Sequence, residues 1–242
     1  MKQFSLLFIF LFFLISSNAQ DTADTKIFPY NRVCKLEMFQ KGGCYVGTGF
    51  MLDDSTFITN AHNIISKGKW RDSVKIYIGY TLNESESCIQ EEIKPSLNAF
   101  IPKEYLATED GDSDYDYCII RINESNRRNQ SNKVHINLMA QLDSISIAGY
   151  PLQRWFEFKR NRGKIQYTNT GKITAREGKI LSYRLNTRGG SSGSPLFIFR
   201  DNKFYLVGIH TSGLCKQNSG IRYQIEDFNF IKKYTSSIFY EQ

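Results

Sequence analysis

From residue 33 to residue 225 the chain is cut into short runs, and this pattern limits the fold more than any other feature. Residues 33–39, Val-Cys-Lys-Leu-Glu-Met-Phe, alternate apolar and polar side chains, as a half-buried strand does. Lys41-Gly42-Gly43 turns the chain into a second run, 44–52, and Asp53-Asp54-Ser55 turns it into a third, 56–59. Similar runs occur at 74–80, 115–122, 144–150, 163–171, 172–175, 179–185, 196–199, 204–210 and 221–225. The connections carry turn residues and leave little room for crossover helices. An all-β barrel or sandwich is therefore expected, not a set of βαβ units. Residues 60–65 leave the third strand as one helical turn, and residues 81–113 read as irregular. The Asn-rich, charged segment 123–133 reads as a linker between two halves, 27–126 and 127–242. Apolar spacing at Phe228 and Ile231 predicts that the second half ends in a short helix over 224–234.

The chain is 242 residues long and 41% hydrophobic, enough for a sizeable core. Residues 1–19 have a basic start, an apolar middle and small residues near Ala19, which is the pattern of a secretory signal peptide. Residues 20–26 read as a short pro-segment or flexible terminus. No later run is long and apolar enough to span a bilayer, so no stable membrane anchor is expected once the leader is removed. Export, whether to the medium or to a periplasm, permits disulfides. The five cysteines leave at least one unpaired in a monomer, the expected state. Cys34 and Cys44 flank a hairpin and are the first choice for a bridge; Cys88 and Cys215 would be the second pair, and Cys118 would stay a buried thiol. Neither cysteines nor histidines have metal-ligand spacing, and no metal or cofactor is expected. The net charge of +7 includes a cluster at Lys159, Arg160, Arg162 and Lys164. No nucleic-acid motif accompanies it, so nucleic acid is not an expected partner.

Chemistry gathers at three places. Gly189-Gly190-Ser191-Ser192-Gly193-Ser194-Pro195 is a glycine-rich turn that can expose a serine hydroxyl and aim the neighbouring backbone N–H groups at one point. Ile58-Thr59-Asn60-Ala61-His62 carries a histidine, and Asp116-Tyr117-Cys118-Ile119-Ile120 an aspartate directly before an apolar run. A serine is a poor nucleophile until a base takes its proton. His62 would be that base, and Asp116 would hold its ring and stabilise the imidazolium. Asp114 competes with Asp116 for this role. Ser192 is the nucleophile in this register, with Ser191 and Ser194 as its neighbours. His135 falls in the region between the halves and is expected to be exposed.

These stretches, in this order and together with Gly47-Thr48-Gly49-Phe50, resemble the trypsin-like serine peptidases. The Ser-Gly-Ser-Pro ending is most similar to the bacterial glutamyl endopeptidase branch, which includes exfoliative toxins. The resemblance covers most of residues 27–235. It implies two six-stranded antiparallel β-barrels of the chymotrypsin type with the active site between them. His62 and Asp116 would come from the first barrel, Ser192 and the specificity pocket from the second. It implies an oxyanion hole at Gly190, Ser191 and Ser192, built from backbone N–H groups. By the same resemblance, Thr187 and His210 would bind a substrate carboxylate beside Ser212 and Gly213, and protonation of His210 would add charge. The segment Thr211-Ser212-Gly213 departs from the aromatic-containing one usual in that branch. Asn186 stands where a trypsin-like pocket carries an acid, so basic specificity is not expected. The family's mature α-amine would correspond to a start near Lys26-Ile27-Phe28-Pro29. The implied partner is a protein or peptide cut after glutamate or aspartate. The competing reading is a catalytically silent relative that acts as a binding or toxin-like module.

Overall fold

The computed structural model describes residues 20–80, 89–108, 111–122, 133–152, 163–214, 217–235 and 238–241. The leader, Cys88, Cys215, most of the basic cluster and nearly all of the linker lie outside them. Among the described residues no helix is long and apolar enough to cross a membrane.

The first half is one seven-stranded antiparallel sheet. Its strands are β1 (Val33–Gln40), β2 (Gly43–Met51), β3 (Thr56–Thr59), β4 (Ser73–Ile78), β5 (Ile89–Ile93), β6 (Ala99–Phe100) and β7 (Cys118–Arg121), in the order β5-β4-β1-β2-β3-β7-β6. Alternation along β4 is clean, with Val74, Ile76 and Ile78 buried. They face Leu36, Met38, Phe57 and Ile120 across one apolar core. The sheet is an open path among the described residues, not the closed six-stranded barrel expected. Strands β5 and β6 lie in the stretch read as irregular, because Ile-Gln-Glu-Glu-Ile has apolar residues only at its ends.

The second half supplies β8 (Val134–Asn137), β9 (Ser144–Gly149), β10 (Tyr167–Glu177), β11 (Ile180–Tyr183), β12 (Pro195–Arg200), β13 (Lys203–Leu214), β14 (Gln217–Arg222) and β15 (Ile238–Glu241). Six of these close on themselves in the order β12-β9-β10-β11-β14-β13, and β13 returns to β12. Residues expected as two strands, 163–171 and 172–175, form the single strand β10. Gly171, which reads as a break, is instead a point of close approach. A Cβ there would lie 2.2 Å from the Arg184 carbonyl oxygen. Asp21 and Thr22 pair with Thr168 and Tyr167, so the segment read as a flexible terminus is docked on β10.

The helix Ile225–Lys232 forms where periodicity places it, but the second half does not end there. β15 follows and runs parallel to β8, which in turn runs parallel to the start of β13. His135, expected to be exposed, is half-buried on β8 between the rings of Tyr205 and Phe239.

The expected Cys34–Cys44 bridge is absent, and both residues are thiols. Register explains this. Cys34 lies opposite Gly49, whereas Cys44 lies opposite Phe39, five residues further along β1. At about 3.4 Å per residue the two are roughly 17 Å apart, far beyond the ~7 Å Cα separation a disulfide tolerates. Cys118 is a buried thiol, as expected.

A second apolar core joins the halves: Phe50, Tyr117 and Ile119 meet Tyr150, Phe197, Tyr223 and Ile231. Inside this junction, Asp227 of the helix is fully buried. It accepts hydrogen bonds from Lys179 Nζ at 2.9 Å, Tyr117 Oη at 2.8 Å and the Gln224 N–H at 2.8 Å. Lys179 also meets Glu226 at 3.2 Å and the face of the Tyr115 ring. Its partners hold the ammonium pKa above the ordinary value despite burial. Breaking such a buried pair leaves a charge without its partner. Asp227→Ala is expected to lower stability by about 3–5 kcal/mol. Urea unfolding measures the loss, and the double change with Lys179→Met should recover part of it.

Candidate active site

The turn Ala61–Ile64 follows β3 and presents His62 at the end of the first sheet. Asp116 leaves a 3-10 turn just before β7 and is nearly buried. β7 pairs with β3 in a register that places Cys118 opposite Thr59, so the residues just outside the two strands meet. Asp116 Oδ2 lies 2.6 Å from His62 Nδ1, and Asp116 Oδ1 accepts the His62 backbone N–H at 2.9 Å. Asn60 holds the aspartate from behind, donating to its carbonyl at 2.7 Å. Asp114, the competitor, faces Asp112: its N–H donates to Asp112 Oδ1 at 2.9 Å. A carboxylate accepts only, so Nδ1 of His62 carries a proton and Nε2 of the neutral ring keeps a lone pair for the cleft.

Ser192 sits on the turn before β12. Gly190 and Gly193 adopt positive φ, 93° and 88°, a conformation that side chains rarely accept. A Cβ at Gly193 would lie 2.0 Å from the Thr48 carbonyl oxygen, so only glycine lets the turn lie this close to β2. Thr48 fastens it there. Its N–H donates to the Ser192 carbonyl at 2.8 Å and its hydroxyl to the Gly190 carbonyl at 2.7 Å. Asn63 Nδ2 adds a third bond to the turn, the second to the Ser192 carbonyl, at 3.1 Å. Neither Thr48 nor Asn63 is named as a site residue by the sequence reading, although Gly47 and Gly49 on either side of Thr48 signal close approach.

The Gly189 carbonyl accepts the Leu152 N–H at 2.6 Å. Across a trans peptide the next N–H points the other way. The Gly190 N–H is thereby turned away from Leu152, and no hydrogen bond to it or to the Ser192 N–H occurs among the described residues. Two donors remain for an oxyanion. Ser191, grouped with them in the expected hole, is not a third: its N–H closes the turn on the Arg188 carbonyl at 2.9 Å.

One cleft of about 550 Å³ is lined by His62, Asp116 and Ser192 together with His210, Thr211, Ser212, Gly213, Arg188 and Ser219. Ser192 Oγ donates to the Thr211 carbonyl at 3.3 Å, a long bond. Thr187 is not among the lining residues. Its hydroxyl donates to Asn218 Oδ1 behind Gly213, and Asn218 Nδ2 donates to the Leu185 carbonyl at 2.5 Å. In this structure the Thr187 hydroxyl is therefore engaged by Asn218 beside the cleft-lining Gly213. Asn186 is exposed, and its carbonyl accepts from the Gln20 side chain.

His210 is 2% exposed on β13. Burial, with the nearby His62 opposing a second charge and the Ser219 carbonyl partly compensating, pushes its pKa down to about 3. Without a ligand the ring is neutral at neutral pH. Arg188 is the Lys or Arg side chain among the described lining residues.

The profile of the trypsin-like peptidase domain matches residues 47–209. The chain belongs to the trypsin-like peptidase family. Its curated relatives include the glutamyl endopeptidase of Staphylococcus aureus strain MRSA252, 23% identical over 90% of this chain, and that of strain MW2, 23% identical over 91%. The chain spans about 60% of the length of these relatives. Among solved structures, a Glu endopeptidase in complex with MPD superposes with a TM-score of 0.71 at 22% identity, over 90% of this chain and 97% of that one. The protease Anisep from Arthrobacter nicotinovorans superposes at 0.64 and 17% identity, over 85% and 94%. Together they show that the fold of this trypsin-like chain is the chymotrypsin-type two-barrel fold.

The neutral state of His210 has a consequence for stability. Between pH 6.5 and about 3 the unfolded chain binds a proton that the folded ring refuses. Stability is expected to fall as pH drops through this window. Urea midpoints at pH 7 and pH 4 measure the loss, and His210→Gln should show a smaller one.

Proposed function

We propose that this protein is an exported serine endopeptidase that cleaves peptide bonds after glutamate, and less well after aspartate, through an acyl-enzyme on Ser192. The observation that carries the reading is the shared cleft. It holds a histidine–aspartate pair at 2.6 Å, a serine on a glycine turn with two unengaged N–H groups, and a buried histidine with an arginine in the same lining. The names of the relatives support the specificity, and the signal-like leader supports export.

In this reading Ser192 Oγ leaves the Thr211 carbonyl as substrate enters and gives its proton to His62 Nε2 while attacking the scissile carbonyl. Catalytic hydrogen bonds often tighten only once substrate is bound. Asp116 holds Nδ1–H and stabilises the imidazolium. The Gly190 and Ser192 N–H groups hold the oxyanion, each contributing about 3–4 kcal/mol to the transition state. The proton on His62 passes to the leaving amine. Water, deprotonated by His62, then releases the acid. The glutamyl side chain would enter beside His210, Ser212 and Gly213 and meet donors in place of the water it loses. Arg188 would attract it, and the acidic group of the cleft, Asp116, is already paired.

A fluorophosphonate probe should label Ser192, and Ser192→Ala should lose roughly 10⁶-fold in kcat, with His62→Ala close behind. Ser194→Ala should keep substantial activity. A wild-type protein that neither labels nor cleaves a peptide library would leave the silent module as the better account. His210→Ala should reduce kcat/KM on glutamyl peptides by about two orders of magnitude while other peptides change little, since hydrogen bonds to charged groups are each worth roughly 1.5–3 kcal/mol. Uniform loss across all peptides would sink the glutamyl specificity and leave the endopeptidase.

A further inference from the structure

Glutamate and glutamine have side chains of nearly the same shape, and an amide oxygen accepts hydrogen bonds as a carboxylate does. Neutral donors therefore hold both, and a site that prefers the acid needs a positive charge. The groups of this cleft differ in whether they can supply one. The Ser212 and Ser219 hydroxyls are neutral and bond to each other at 2.9 Å. Thr187, behind Gly213, is neutral too, and its proton is committed in this structure. Asn218 Nδ2 donates to the Leu185 carbonyl, which can only accept. Oδ1 is therefore the amide atom turned to Thr187, and the hydroxyl donates to it. Of the titratable groups in the lining, His62 and Asp116 are paired with each other, and His210 is uncharged without a ligand. Charging His210 would work against its burial and against the nearby His62.

Arg188 is the remaining titratable group of the lining. It is half-buried, and its guanidinium has no hydrogen bond or ion pair among the described residues. Its backbone is fixed to the turn that carries Ser192. The Arg188 carbonyl accepts the Ser191 N–H at 2.9 Å, and the Arg188 N–H donates to Ser191 Oγ at 3.4 Å. A cation that has lost part of its water and has no counter-ion is stabilised by an arriving carboxylate, and a guanidinium fits one with paired donors.

We propose that Arg188 is the specificity-determining residue that selects glutamate over glutamine: its guanidinium, carried on the nucleophile turn, pairs with the carboxylate of the residue before the scissile bond. The proposal rests on the glutamyl reading above and names the charge which that reading needs. The other lining groups then supply shape and neutral hydrogen bonds, which either side chain can use. A guanidinium keeps its charge throughout the working pH range, so the preference it creates does not titrate.

The test uses the full chain and matched peptides that differ only in glutamate or glutamine before the scissile bond. Both peptides use the same triad, so the ratio of their kcat/KM values cancels the titration of His62. In the wild type this ratio should be constant from about pH 6 to about pH 9, because a glutamyl carboxyl ionises near ~4.3 and arginine only above about 12. Arg188→Gln removes the charge and should lower the ratio roughly tenfold or more, the scale of one hydrogen bond to a charged group. Arg188→Lys keeps a charge and should retain more of the ratio than Arg188→Gln. A wild-type ratio that falls as pH rises through about 6.5 places the charge on a histidine, and a fall near about pH 8 places it on an α-amine. Either profile overturns the proposal without any variant. An unchanged ratio in Arg188→Gln, with the variant still labelled by the fluorophosphonate probe, overturns it as well and leaves the glutamyl reading standing. A wild type that cuts both peptides equally overturns the glutamyl reading and the role of Arg188 with it.

Discussion

The grip of Thr48 on the serine turn is the interaction on which the site depends. His62 and Asp116 belong to one half and Ser192 to the other, so nothing within either half sets the distance between His62 and Ser192. Thr48 does, from the middle of β2. It is fully buried, and every polar atom it has is used: N–H to Ser192, hydroxyl to Gly190, and carbonyl from Thr59 at 2.6 Å. Its hydroxyl oxygen also accepts the Tyr150 N–H at 3.0 Å, which ties the neighbouring strand of the second half into the same knot. Hydrogen bonds in such a place are costly to leave unmade, so the knot holds or fails as a unit.

Around it, the halves share an apolar junction with one buried ionic cluster, Lys179–Asp227, in its middle. Tyr117 belongs to both worlds. It follows Asp116 in the chain, packs in the joint core, and donates to Asp227. The aspartate that orients His62 is therefore anchored on one side by Asn60 of its own sheet and on the other through a helix of the second half. Burial also separates the two cleft histidines. His62 is paired with a carboxylate, whereas His210 is desolvated and neutral, so two histidines in one cleft have opposite surroundings.

The open first sheet and the extra parallel strands show how a two-barrel pattern is modified without moving the site. β8 and β15 add to the outside of the second barrel, along the first half of β13. The second half of β13, which carries His210 to Gly213, pairs with β14 and stays at the cleft. A long strand can serve both because its two ends have different neighbours. The expectation of a terminal helix missed this, since a four-residue strand such as Ile238–Glu241 has no period of its own and exists only by pairing.

What the sequence alone determined was local: the strand runs, the turn at 61–64, the helix at 225–232, and the choice of Ser192, His62 and Asp116 as candidates, which the structure places on one cleft. Each rests on the chemistry of adjacent residues, such as glycines beside a serine or an aspartate before an apolar run. What only the tertiary structure decided was relational. Register separated Cys34 from Cys44, close approach and not a turn explained Gly171, and a neighbouring asparagine engaged the Thr187 hydroxyl. Above all, the neutral state of His210 came from its burial on β13, against Tyr183, a residue 27 positions away in the chain. Side chains distant in sequence have no period or motif to connect them. Their hydrogen bonds form only when distant strands pack on one another.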